Sequence, residues 1–263
     1  MSSPDPRYDR YDRYDRYDRR HFLQGLALGG PLFAVRGAFA EALTETAQTI
    51  EGPFYPDRMP LDTDNDLLII NDAITPAVGE VAYLHGRVLS RSGQPVRNAT
   101  VEIWQVDALG SYVHTRGRDP SGLDPNFQGY GRALTGSTGD YLFRTIVPRP
   151  YALYGVTRAP HIHLAVSLNG RRVLTTQVLV RGHPDNATDG VLQGLAPPAR
   201  ATVLADFGRA PGARSGERTA RFDVVLGRTA FEGDDGVLRG GMGRSIGTRF
   251  WDILKAQGRD TLR

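Results

Sequence analysis

The feature that most constrains this chain is the cadence of its middle section. From about residue 80, short runs of alternating or β-branched residues recur at regular spacing, each closed by turn residues. The best strand candidates cover 81–89, 100–106, 141–146, 161–168, 173–180 and 221–226. Between them stand Ser92-Gly93-Gln94-Pro95, Gly136-Ser137-Thr138-Gly139-Asp140 and Leu168-Asn169-Gly170. These favour tight reversals because Gly and Asn tolerate positive φ while Pro fixes its own. Many short strands with few helical periods predict an all-β fold, an antiparallel β-sandwich with long irregular loops. Residues 196–216 read as a long irregular connection with one helical turn. RFWDILKAQGRD, residues 249–260, reads as a short C-terminal helix whose Phe250, Trp251 and Leu254 pack on the body or on a neighbouring subunit.

Composition narrows the chemistry. The 263 residues contain no cysteine, which excludes disulfides, thiol nucleophiles, iron–sulfur clusters and thiolate zinc sites. Any metal must therefore be held by oxygen and nitrogen. The net charge is only +3, and its arginines are interspersed with acidic residues instead of forming a basic block, so no nucleic-acid partner is expected.

The N-terminus reads as an address. Residues 7–20, RYDRYDRYDRYDRR, form a low-complexity repeat that cannot bury a core. Arg19-Arg20 is followed by Phe22-Leu23 and then by a weakly apolar, Gly- and Ala-rich stretch ending at Ala38-Phe39-Ala40. That order is similar to a twin-arginine export signal, with cleavage expected after Ala40. Asp18 stands where a hydroxyl residue is usual, and Arg36 interrupts the apolar run. A tail leading into a short surface helix is the plainer alternative. A periplasmic or extracellular protein without stable membrane insertion is expected after processing. The expected organisation is a signal over 1–40, an N-terminal extension packing on the core over 41–80, a catalytic sandwich over 81–232 and a C-terminal tail over 233–263.

One histidine pair is arranged for chemistry. In APHIHLAVSL, strand alternation puts His161, His163, Ala165 and Ser167 on one face, with Ile162, Leu164, Val166 and Leu168 toward the core. Two imidazoles two residues apart on one strand face can converge on one ion, or can be two exposed or hydrogen-bonded histidines. LAVSLNG supplies no downstream Glu for a cupin-type site, and no acid is placed for a two-histidine, one-carboxylate ferrous site. The surroundings offer tyrosine and arginine instead: Tyr151, Tyr154 and Arg158. A phenolate is a hard anionic donor suited to Fe³⁺.

Three ordered blocks extend this pattern: LHGRVLSRSGQPVRNATVEIWQVDALGSYVH, then LDPNFQGYGRALTGSTGDYLFRTIVPRPY, then RAPHIH followed by TTQVLVRGHPDN. Together they resemble the intradiol ring-cleavage dioxygenases, most specifically the protocatechuate 3,4-dioxygenase branch, over roughly residues 50–230. EGPFYP upstream and RFDVVLGR downstream match more weakly. The resemblance implies a non-haem Fe³⁺ enzyme that opens a catecholic ring with O₂ to a cis,cis-muconate. It implies Tyr112 and His161 as the permanent ligands, with Tyr151 and His163 as the axial pair. Tyr151 would then be the labile one. Arg158 and Gln177 match residues that stabilise the activated substrate, and Gly52 and Pro53 match substrate-contacting positions. Trp104 and Glu102 belong to the pattern as packing residues, whereas His85, His114, His21 and His183 fall outside the ligand set.

The segment between Tyr151 and His161 is shorter than in that branch, and Leu153 replaces an expected tryptophan, so Tyr154 competes with Tyr151. The branch pairs two related chains, so a homo-oligomer or a partner chain is expected beside a small catechol and O₂. A non-catalytic exported sandwich that binds metal or carbohydrate is the competing reading.

Overall fold

The computed structural model describes residues 42–71, 75–117, 119, 122–153, 155–213 and 215–227, with short backbone strands at 231–232 and 238–239. The export signal, Tyr154 and the C-terminal helix expected from the sequence lie outside the described residues. The fold below is that of the larger of two compact units, residues 41–210 and 214–263.

Two five-stranded sheets carry the structure. Sheet I is built on β1 (Val81–Ser90), which pairs antiparallel with β4 (Asp140–Ile146). It also pairs parallel with β11 (Arg218–Arg221) and β12 (Val224–Leu226), and β10 (Gly208–Arg209) closes the β11 edge. Sheet II runs β3 (Tyr130–Leu134), β2 (Thr100–Trp104), β7 (His161–Leu168), β8 (Arg171–Val180), β9 (Leu204–Ala205). A small hairpin, β5 (Tyr151–Leu153) with β6 (Val156–Arg158), precedes β7.

The core lies where alternation predicts it. Leu84, Val88 and Phe143 from sheet I meet Val101, Ile103, Ile162, Leu164, Val166 and Val178 from sheet II, all wholly buried. Burying each such side chain stabilises the fold by roughly 1.5–3 kcal/mol. The all-β sandwich is as expected, but it is not purely antiparallel, because β11, β12 and β9 each add a parallel pair.

The strand expected over 221–226 is two strands, and the reason is local. The backbone carbonyl of Phe222 presses so close to Gly86 that a Cβ there would collide with it. The Asp223 side chain then accepts from the Arg87 N–H, replacing a ladder bond before β12 resumes.

The second face of sheet II is buried too. Residues 42–58 run across it: Thr49 N–H donates to Thr175 O (3.0 Å), and the Thr176 hydroxyl donates to Ala47 O (2.7 Å). Phe54 joins Trp104, Val106, Tyr112, Tyr130 and Ala165 in a separate aromatic cluster on this side. A strand polar on one face in sequence is thus enclosed on both.

Candidate metal centre

Strand register assembles the outer face of sheet II. Trp104 pairs with His163 across β2–β7, and His163 pairs with Gln177 across β7–β8. Trp104 stacks on the His163 ring at 4.8 Å with planes 6° apart. Gly52 closes the other side: at φ +73° it sits so near that a Cβ would lie 3.1 Å from His163 Cε1. Only a residue at ease in the left-handed region, with no side chain, suits that position.

The tyrosines arrive from loops. Tyr112 belongs to a loop organised by Asp107, whose wholly buried carboxylate accepts the N–H groups of Leu109 (2.8 Å), Ser111 (2.9 Å) and Asp124 (2.7 Å). The Tyr112 N–H itself donates to Gly117 O at 2.7 Å. Tyr151 comes from β5, directly across the hairpin from Arg158.

The four side chains converge. Tyr112 Oη lies 3.1 Å from His163 Nε2, 3.4 Å from His161 Nε2 and 3.5 Å from Tyr151 Oη, and the two Nε2 atoms are 3.2 Å apart. Donor atoms about 3 Å apart are what ligands at about 2.1 Å from one ion require. His161 Nδ1 lies 2.6 Å from Ala159 O, and a carbonyl only accepts, so the ring N–H sits on Nδ1. Its Nε2 therefore presents a lone pair toward the other donors. Burial first, then the charge of Arg158, holds His161 below the ordinary histidine range. His163 is pushed down by burial, then by His161 and Arg158. Both rings are neutral and able to ligate.

Burial and the neighbouring Tyr151 drive the Tyr112 phenol well above its usual range. Burial also raises Tyr151, while Arg158 opposes it. Phenols raised in this way become phenolate only beside a strong positive charge. The donor set therefore fits a cation of high charge. Among the described residues no group of three His, Asp or Glu side chains could hold a metal, so any such site depends on the tyrosines.

Arg158 is buried, not a surface ion pair. Its Nε–H donates to Asp189 Oδ2 (2.8 Å) and its terminal N–H donates to Gln177 Oε1 (2.7 Å). Gln177 in turn donates to Ile50 O (3.0 Å). Gly52 lies against His163, and the half-buried Pro53 follows it between Gly52 and Phe54. Glu102 accepts from Tyr55 and Tyr130 and pairs with Arg172, which also bonds Glu51 and lies 4.8 Å from the centre of the Tyr55 ring. This knot behind Trp104 ties residues 51–55 to sheet II. His114 stays outside the cluster, its Nδ1 accepting from the Arg116 N–H. Sequence reasoning passed over Asp107 and Asp189, since an aspartate in a loop carries no mark of what its oxygens will accept. The only signal for Asp189 was its place before Gly190-Val191-Leu192, an N-cap pattern.

Two tyrosines from a loop and a hairpin thus meet two histidines of one sheet face in a β-sandwich. A dioxygenase family model matches residues 50–228. The chain belongs to the intradiol ring-cleavage dioxygenase family. It is 37% identical over 196 residues to the protocatechuate 3,4-dioxygenase beta chain of Burkholderia cepacia, covering 72% of this chain and 82% of that one. It is 35% identical over 153 residues to catechol 1,2-dioxygenase of Acinetobacter baylyi, covering 53% of this chain and 47% of the relative. Among solved structures, catechol 1,2-dioxygenase from Acinetobacter sp. ADP1 superposes with a TM-score of 0.56 at 27% identity, over 88% of this chain and 73% of that one.

Proposed function

We propose that this chain uses ferric iron held by Tyr112, Tyr151, His161 and His163 to cleave a catecholic ring between its two hydroxyl-bearing carbons, giving a cis,cis-muconate. The convergence of four neutral or ionisable N and O donors on one point carries the reading, and family membership supports it. When bound, Fe³⁺ would supply Lewis acidity toward the catechol hydroxyls.

The chain's own residues do the rest. Tyr112 and His161 are wholly enclosed and serve as fixed anchors, whereas Tyr151 is half-buried on a short hairpin. Held as phenolate by the ion, Tyr151 Oη would take a proton from a substrate hydroxyl and become a neutral phenol. The Arg158 guanidinium, oriented by Asp189 and Gln177, stabilises negative charge on the ring oxygen as it develops. Phe54, Trp104 and Tyr130 wall the cluster from water. Gly52 and Pro53 bound the substrate on the side of the N-terminal segment.

The substrate is a catechol, with protocatechuate or another substituted catechol as the reading drawn from the relatives. Assembly with a second copy or a related chain is drawn from the beta-chain relative in the same way. Export of the folded chain rests on Arg19-Arg20 and the stretch to Ala40. It is tested by whether Arg19→Lys with Arg20→Lys abolishes secretion. Family membership leaves the non-catalytic binding module without support.

The deciding experiment incubates the full iron-loaded chain with catechol, protocatechuate and hydroxyquinol under ¹⁸O₂. Uptake of both oxygen atoms into a ring-opened dicarboxylate is expected with at least one of them. A semialdehyde product, or iron binding without oxygen uptake on any of the three, would contradict the proposal.

A further inference from the structure

Asp189 is a buried carboxylate next to the site that reaches the four donors only through other groups. Its carboxylate is completely buried. Oδ2 accepts from Arg158 Nε–H (2.8 Å) and from the Ala159 N–H (2.9 Å). Oδ1 accepts from the Val191 and Leu192 N–H groups (3.0 Å each), capping the short helix Gly190–Gln193. Four donors fill the acceptor sites a carboxylate has.

Two routes lead from this one group into the metal cluster. Through Arg158 it reaches Gln177, and through Gln177 the carbonyl of Ile50 in the covering segment. Through the Ala159 peptide it reaches His161, whose Nδ1–H donates to the carbonyl of that same residue. The Ala159 N–H donates to Asp189 while the Ala159 carbonyl accepts from His161, so the two peptide groups that flank this residue are both restrained. The carbonyl in turn fixes the ring orientation and the tautomer with Nε2 facing the cluster.

We propose that Asp189 is a positioning residue that holds the Arg158 guanidinium and the His161 ring in register with each other. The proposal rests on the ring-cleavage reading for its kinetic consequence, but not for its geometry. Without Oδ2 the guanidinium keeps its bond to Gln177 but is left as a buried charge lacking its carboxylate counter-ion. Asp189→Asn isolates this role. An amide oxygen still caps the helix, since Asn is as good an N-cap as Asp, while the NH₂ group cannot accept from Arg158 or Ala159.

The test uses the full chain labelled with ¹⁵N and free of metal, and follows the Arg158 Nε–H signal, assigned by its disappearance in Arg158→Lys. The wild type should show this proton shielded from solvent exchange. Asp189→Asn should lose that shielding, and so should Asp189→Ser, a second capping residue available if the amide variant does not fold. Leu192→Ala loosens the same helix through its buried leucine but leaves the carboxylate, and should retain the signal. In the iron-loaded enzyme, kcat/KM of Asp189→Asn should fall about 10- to 100-fold, the range seen when partners of metal ligands are removed.

An unshielded Arg158 proton in the wild type, or equal loss in Leu192→Ala and Asp189→Asn, would overturn the proposal. So would an Asp189→Asn enzyme whose kcat/KM stays within about twofold of the wild type. A wild type that turns over no catechol, with the spectral difference between variants intact, would refute the ring-cleavage reading and leave the positioning role standing.

Discussion

His161 and His163 ride on β7, a strand hydrogen-bonded on both edges and enclosed on both faces, whereas Tyr112 and Tyr151 come from a loop and a hairpin of three-residue strands. The histidine half is placed by sheet register: once β2, β7 and β8 pair, the two rings have nowhere else to point. The tyrosine half is placed by side-chain bonds instead: Asp107, local to the Tyr112 loop and tied on to Asp124, and the Arg158–Asp189 pair, 31 residues apart, for the Tyr151 hairpin. Within the tyrosine half Tyr112 is wholly enclosed and Tyr151 stands on the short hairpin, a division that agrees with the proposal that Tyr151 is the ligand that moves.

Removing one tyrosine at a time tests this contrast most severely. Tyr112→Phe deletes the enclosed oxygen at the middle of the cluster, and kcat/KM should fall by more than about 100-fold, beyond the usual effect of an outer partner. Tyr151→Phe should retain iron more tightly than Tyr112→Phe does, as metal analysis after dialysis against a chelator will read. Equal iron loss in the two variants would erase the distinction between fixed and labile tyrosines.

Asp107→Ala strikes the support of the fixed tyrosine. Three backbone N–H groups lose their acceptor, at about 1–3 kcal/mol for each that stays buried and unpaired. A fall in unfolding free energy of roughly 3 kcal/mol or more is expected from urea denaturation. A loss below about 1 kcal/mol would mean that the loop does not depend on this carboxylate.

Gly52→Ala sharpens the contrast from the histidine side. The new Cβ needs a left-handed backbone and crowds His163 Cε1, so a stability loss of about 1–3 kcal/mol is expected, with reduced activity. A fully active and equally stable Gly52→Ala would show that the covering segment can give way.

The smallest effect is the pH response of the metal-free protein. His161 and His163 are held neutral in the folded chain by burial, and His85 is also shifted down, chiefly by burial. Unfolding lets such groups take up protons, so the unfolded state binds more protons below its ordinary histidine pKa of about 6.5. Stability is then fully present above that pH and declines as pH falls below it, each histidine adding to the slope. Replacing both ring ligands with Gln should flatten the thermal midpoint between about pH 6.5 and 5.

The histidine half was legible because strand periodicity is a local signal: HIHLAVSL alternates, and β7 has the expected bounds. What alternation could not tell was that the polar face would also be enclosed, since that depends on residues 42–58 crossing from a remote part of the chain. β3 escaped notice because YGRAL has a Gly near its start and weak alternation. Tyr112 was legible only through its resemblance to the family blocks, for nothing in GSYVH marks a ligand. The local bonds of Asp107 and Asp189 follow turn and N-cap patterns, but their long-range bonds, across 17 and 31 residues, are encoded by no pattern along the chain.

The most direct test of the four-donor centre is the visible spectrum of the full chain titrated with ferric iron, followed by anaerobic addition of protocatechuate or catechol. A tyrosinate-to-iron band that saturates at about one ion per chain, shifts with the catechol and largely vanishes in Tyr112→Phe is the predicted result. A colourless protein that retains no iron, or a band indifferent to Tyr112→Phe, would contradict it.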